Sequence, residues 1–156
     1  MIKIIHAGYK NVEAVNFHYT QNDKNNYWFI TNMLSPYDML VSGEWKHFDK
    51  NQIIIFPPNT SVEYRSRHGE TIENNWIMFE TDEKFIINFP IPFCVPIHTI
   101  YQTGFDYIFH LISVENFWEN IYKAQSINHM FHLLFDKIYE SYYSYHKIPS
   151  TSIINL

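Results

Sequence analysis

The chain has 156 residues, 46% of them hydrophobic, with a formal net charge of −5 and a pI near 5.9. That length fits one compact domain burying roughly two-thirds of its unfolded surface, and the acidic balance argues against these residues gripping a phosphate backbone, which calls for Lys and Arg on one face. The lone Cys94 excludes an intramolecular disulfide and fits a reducing compartment, the cytoplasm, and neither a signal-peptide core nor a run of about 18 apolar residues that would cross a membrane is present.

Residues 1 to about 100 read as short strands punctuated by Asn, Asp, Gly and Pro: IKIIH, EAVNFH, NYWFITNML, YDMLVS, EWKHF, QIIIF, SVEYRS, NNWIMFE and VPIHTI. Strands of this length and spacing predict a barrel or a sandwich. In QIIIFPPNTSVEY, Pro57 and Pro58 cannot donate to a sheet ladder, so they end one strand and fix its exit, while Asn59 and Thr60 supply turn chemistry before the next. Alternation then places Val62 and Tyr64 on one strand face, and Asn74, Trp76 and Met78 on one face of the following strand. The only two arginines, Arg65 and Arg67, also share a face; they can pair with a carboxylate or phosphate, or form a solvated strand surface.

After Gly104 the period changes. Phe105, Ile108, Ile112, Trp118 and Ile121 recur at helical spacing, and a second helix is predicted from the stripe Ile127, Phe131, Leu134, Ile138, Tyr142 and Tyr145. That stripe suits either packing on the chain's own sheet or a seam with a partner subunit. In the closing KIPSTSIINL, Pro149 breaks the helix and the period is lost.

Candidates for chemistry are few. There are nine histidines but no HxH pair, and His129 and His132, three apart on the second helix, lack a third ligand nearby in sequence. Cys94 lies in the apolar, proline-flanked PIPFCVPIH, an environment that raises a thiol pKa and makes it inert. With four glycines and no CxxC or GxSxG element, the chain is expected to be no enzyme and to need no metal or cofactor.

The order of signals, with the HAG opening at residues 6–8, the QIIIFPPNTSVEY corner, the NNWIMF strand and two terminal helices, resembles the N-terminal sensor domain of AraC-type transcription regulators over essentially the whole chain. The resemblance implies a mainly β fold with C-terminal helices: a cupin-like, double-stranded β-helix barrel over residues 1–100, whose first 20 or so form an arm serving as a lid. A helical dimerisation segment at 104–147 would follow, then at 148–156 the start of a linker to a helix-turn-helix domain through which alone DNA would be contacted. It implies a homodimer paired through Ile127, Phe131, Leu134, Ile138 and Tyr142, and a small-molecule effector in the lumen, where aromatic lining favours an uncharged one. The implied effector contacts are Tyr64, Asn74 and Trp76, with His18 or Thr20 near the arm; ordinary core filling is the other reading of each. Val62 stands where members of the family usually have His, and Ser35 and Pro36 stand where they have a glycine turn. These departures leave room for a ligand-free dimerisation or docking module. A small metal-dependent cupin enzyme would share the barrel but needs clustered ligands that the sequence does not show.

Overall fold

The computed structural model describes residues 1–146, so the expected linker at 148–156 and the break at Pro149 lie outside the described residues. Among the described residues nine strands form two antiparallel sheets. One has five strands in the order β1 (Ile2–Val12), β8 (Glu73–Thr81), β3 (Trp28–Met33), β6 (Gln52–Phe56) and β9 (Ile97–His98). The other has four, in the order β2 (His18–Gln21), β7 (Val62–Arg65), β4 (Tyr37–Val41) and β5 (Glu44–Phe48). Setting aside the two-residue β9, the orders 1-8-3-6 and 2-7-4-5 are those of a jelly roll, two Greek keys wound into a double-stranded β-helix, the architecture that cupins use. The chain is therefore mainly β, with helices α1 (Lys84–Ile87), α2 (Gln102–Phe117) and α3 (Lys123–His146) following the last long strand.

Burial explains why β3 and β6 read as near-continuous apolar runs. Every residue of both is buried, because the five-stranded sheet is covered on its two faces. Phe29, Met33, Ile54 and Phe56 point into the lumen with Tyr37, Met39, Val62, Tyr64 and Ile72. Trp28, Ile30, Ile53, Ile55, Ile77 and Phe79 point outward and form a second core with Phe105, Ile108, Phe109 and Ile112 of α2 and with Ile127, Phe131, Leu134 and Ile138 of α3. The stripe on the second helix thus packs on the chain's own sheet, with Phe131, Leu134 and Ile138 wholly buried and Tyr142 partly buried beside them.

A buried amide network fixes α2 against that sheet. Asn75 donates to Asn32 and to Asp106, both at 3.0 Å, while Gln102 donates to Asn32 at 2.7 Å and to Asp106 at 3.0 Å, and Thr99 donates to Gln102 at 2.8 Å. Asn32 and Asn75 have no solvent exposure. A slide of α2 by one turn would leave these groups unpaired at about 1–3 kcal/mol each.

Three local features depart from the sequence reading. EAVNFH is not a strand: β1 continues to Val12, Glu13 N donates to Ile72 O, Asn16 takes a positive φ of 60° with its side chain accepting from Gly69 N, and β2 starts at His18. A corner between the two sheets is what this stretch must make, and its alternating pattern mimics a strand. Residues 2–12, expected within a lid-like arm, instead form the edge strand paired with β8. Helix α2 ends at Phe117, where Asn120 accepts from Tyr122 N in a local turn, so Trp118 and Ile121 fall past the helix and are 65% and 88% exposed.

The double-proline corner behaves as its chemistry dictates. β6 stops at Phe56, Asn59 adopts φ 62°, and its N–H donates to Asn25 O at 2.9 Å. Other turns also rely on non-glycine residues with positive φ: Lys10, Ser42, Asn51 and Cys94 besides Asn16 and Asn59. Gly8 is a different case. Directly opposite Trp76 in the β1–β8 register, it lies under the indole, and a Cβ there would overlap the ring.

Candidate functional site

Two surfaces of the jelly roll gather polar chemistry: the lumen, and the outward face of the four-stranded sheet.

In the lumen, strand alternation brings Tyr64, Asn74 and Trp76 together. The hydroxyl of Tyr64 is hydrogen-bonded by Thr31 and Asn74, and Asn74 Nδ2 donates to Thr31 Oγ1 at 3.0 Å. Asn74 Oδ1 is buried and has no hydrogen-bond partner, which leaves one acceptor unused in an otherwise apolar setting. Rings surround this cluster. Tyr19 stacks on Tyr64 at 5.1 Å and meets Phe29 at 5.4 Å, Phe29 stacks on Phe56 at 5.9 Å, and Tyr37 stacks on Phe48 at 5.3 Å. Burial pushes the hydroxyls of Tyr19, Tyr37 and Tyr64 well above the ordinary tyrosine range. Trp76, Met78, Phe17 and Tyr19 are only partly buried and form the rim of the cluster.

His18 and Thr20 are placed elsewhere. β2 alternates so that Tyr19 and Gln21 face inward while His18 and Thr20 are exposed on the outer face. There His18 Nε2 lies 2.7 Å from Glu63 Oε2, and Thr20 lines a separate surface recess with Glu63 and Ser42.

On that outer face one residue from each strand lines up in register: His18 opposite Arg65, Arg65 opposite Asp38, and Asp38 opposite His47. Asp38 is the centre. Its side chain is only 6% exposed, its Oδ1 is hydrogen-bonded with His47 Nδ1, and Arg65 Nε and Arg67 Nε stand 3.6 and 3.7 Å from its two oxygens. The Arg65 guanidinium lies over the Trp45 ring at 3.8 Å. Together with Asn16, Ser66 and His68 these groups line a concavity of about 730 Å³. Spacing alone puts Arg65 and Arg67 on one face, but Asp38 and His47 were missed as their companions. A signal for them exists: Ser42 and Gly43 form a two-residue hairpin turn, both with positive φ, and such a turn fixes the register that sets Asp38 against His47.

The histidines considered for metal are dispersed. His132 stacks on Phe85 at 3.6 Å, and His98 lies against Tyr145 at 5.2 Å. Among the described residues no three His, Cys, Asp or Glu side chains are grouped to hold a metal ion, and no helix is long and apolar enough to cross a membrane. Cys94 is exposed, and desolvation raises its thiol pKa, partly offset by a hydrogen bond with Thr60.

No family model matches the chain, and no curated protein matches it. Among solved structures it is similar to the Cupin_2 domain of an XRE-family transcriptional regulator from Enterobacter cloacae, at 12% identity and a TM-score of 0.37 over 53% of this chain and 97% of that one. The cupin domain of Schizosaccharomyces pombe Cnp3 aligns at 9% identity and a TM-score of 0.40, over 59% and 74% of the two chains. The Clostridium difficile EutQ protein aligns at 14% and 0.33, over 45% and 49%.

Proposed function

We propose that the chain is the effector-sensing and dimerisation domain of a cytoplasmic, AraC-type bacterial transcription regulator, with a small, uncharged molecule bound at the lumen cluster of Tyr64, Asn74 and Trp76. The observation that carries this reading is the unused buried acceptor of Asn74, held by Thr31 beside the Tyr64 hydroxyl in the cluster that the partly buried Trp76 indole packs against. An aromatic wall with one oriented polar group is how small-molecule sites obtain affinity and orientation. Entry requires the rim residues Phe17, Tyr19 and Trp76 to move, and a ligand that favours the moved arrangement shifts its population.

A physical route leads from lumen to helix. Tyr37 donates to Gln52 at 2.7 Å, Gln52 Nε2 is 3.4 Å from His98 Nε2, and His98 lies against Tyr145 near the end of α3. Because Ile127, Phe131, Leu134 and Ile138 belong to the chain's own core, subunit pairing would fall to the exposed Tyr101, which precedes α2, with Tyr107 on α2 and Leu133 on α3.

The close packing of the lumen, where Phe29, Met33, Tyr37 and Ile54 are at most 1% exposed, supports a second reading as a ligand-free dimerisation module. Native mass spectrometry of the purified chain separates the two. A dimer carrying an organic adduct that is lost on denaturation, and lost in Asn74→Ala, supports the sensor. A clean apo dimer supports the module, and a clean monomer overturns both.

A further inference from the structure

We propose that the outer face of the four-stranded sheet is a second binding site, independent of the lumen, which takes a small molecule bearing an oxyanion, carboxylate or phosphate, between Arg65 and Arg67.

The first ground is charge placement. A chain with a formal net charge of −5 brings both of its arginines into one concavity. Among its lining side chains one carboxylate, Asp38, stands against two guanidinium groups, while Glu63 belongs to the neighbouring recess. The pocket floor therefore keeps an excess positive charge that an added anion would balance.

The second ground is donor availability. At 3.6 and 3.7 Å, the two Nε atoms lie beyond hydrogen-bond distance of Asp38, so the buried carboxylate holds the guanidinium groups in place without using up their N–H groups. Arg67 donates one Nη to Phe48 O at 3.1 Å, while its Nε is buried and without a hydrogen-bond partner. The Arg65 guanidinium lies over the Trp45 ring at 3.8 Å and has no hydrogen bond among the described residues, so its donors can make bidentate contact with a carboxylate or phosphate. Side-chain entropy has been paid in advance: a stacked and a carbonyl-bound arginine present fixed forks, whereas surface lysines present mobile point charges.

The third ground is shape. About 730 Å³ falls within the range of small-molecule sites, roughly 300–1,000 Å³, and the recess is concave, which suits a metabolite-sized ligand better than an extended acidic polymer.

The test is isothermal titration calorimetry of the whole chain at constant ionic strength, with inorganic phosphate in one arm and malonate in the other, and chloride as the screening control. Saturable binding of one anion is expected, weakened about tenfold or more by Arg67→Gln and by Arg65→Gln and unchanged by Lys137→Gln on α3. Preference for phosphate assigns a phosphate ester as ligand class, and preference for malonate a carboxylate. If Arg67→Gln fails to fold, the half-exposed Arg65 carries the comparison, with circular dichroism confirming its fold. Absence of saturable heat with either anion, or equal weakening by Lys137→Gln, overturns the proposal. Since the readout does not involve Asn74 or Trp76, failure here leaves the lumen reading standing.

Discussion

The five-stranded sheet is covered on both faces, by lumen side chains on one and by α2 and α3 on the other, whereas among the described residues the four-stranded sheet is covered on its lumen side alone. The first therefore carries large apolar side chains at nearly every position. The second alternates, burying Tyr37, Met39, Val62 and Tyr64 and presenting Asp38, His47, Arg65 and Arg67 on the other side. One sheet is thus free to carry polar chemistry because the described helices pack on the other.

That contrast is broken most directly by Phe131→Ala. Phe131 is fully buried, edge-on to Phe79 at 4.9 Å, so its loss should cost about 3–5 kcal/mol in urea unfolding, against about 0.5 kcal/mol or less for Thr20→Ala on the open face. Comparable costs would mean that the open face is structural. Gly8→Ala comes next. The new methyl collides with Trp76 and should cost about 1–3 kcal/mol, accompanied by a shift in tryptophan fluorescence as the indole is displaced. Tyr64→Phe removes the hydroxyl that Thr31 and Asn74 bond and should cost about 1 kcal/mol, while anion binding on the other face of the same strand stays intact.

The lumen tyrosines give the smallest effect at neutral pH, where all remain protonated. Tyr19, Tyr37 and Tyr64 have folded-state pKa values raised above their ordinary value by burial. The folded state thus holds protons that the unfolded state releases, so their contribution is complete below about pH 10 and is lost as pH rises toward the folded values. Absorbance titration should show these hydroxyls ionising only with alkaline unfolding. Smooth ionisation of all twelve tyrosines near the ordinary value would mean that the lumen is open to water.

Much of the barrel was legible because its punctuation is chemical. Pro57 and Pro58 end β6, and the alternation through Val62 and Tyr64 matches their burial. The shared face of Asn74 and Trp76 was legible for the same reason. Less legible was anything set by long-range register. Period 2 places His18 and Thr20 on a common face but does not say that this face points outward, and EAVNFH alternates although its backbone is a corner. In α3, periodicity identified the apolar stripe, while its covering is a property of the sheet folded 50 to 100 residues earlier. Asp38 illustrates the limit best. Alone in an apolar strand it reads as an interruption, and only the pairing of β4 with β5 and β7 turns it into the hub of four side chains.

The sparing use of glycine leaves this protein thermal headroom. Six non-glycine residues occupy the left-handed region, against two of the four glycines. Asn is tolerant there, but Lys10 at the bulge between β1 and β8, and Ser42 in the tight hairpin, carry the steric penalty of a Cβ, on the order of 1 kcal/mol each. Lys10 meets the bulge with its backbone, its N–H donating to Asn75 at 2.9 Å, a contact that glycine would keep. Set against the ~0.5–1 kcal/mol of backbone entropy that each new glycine costs, a Lys10→Gly, Ser42→Gly double variant should melt about a degree or two higher at most, a small margin for substitutions on either proposed binding surface.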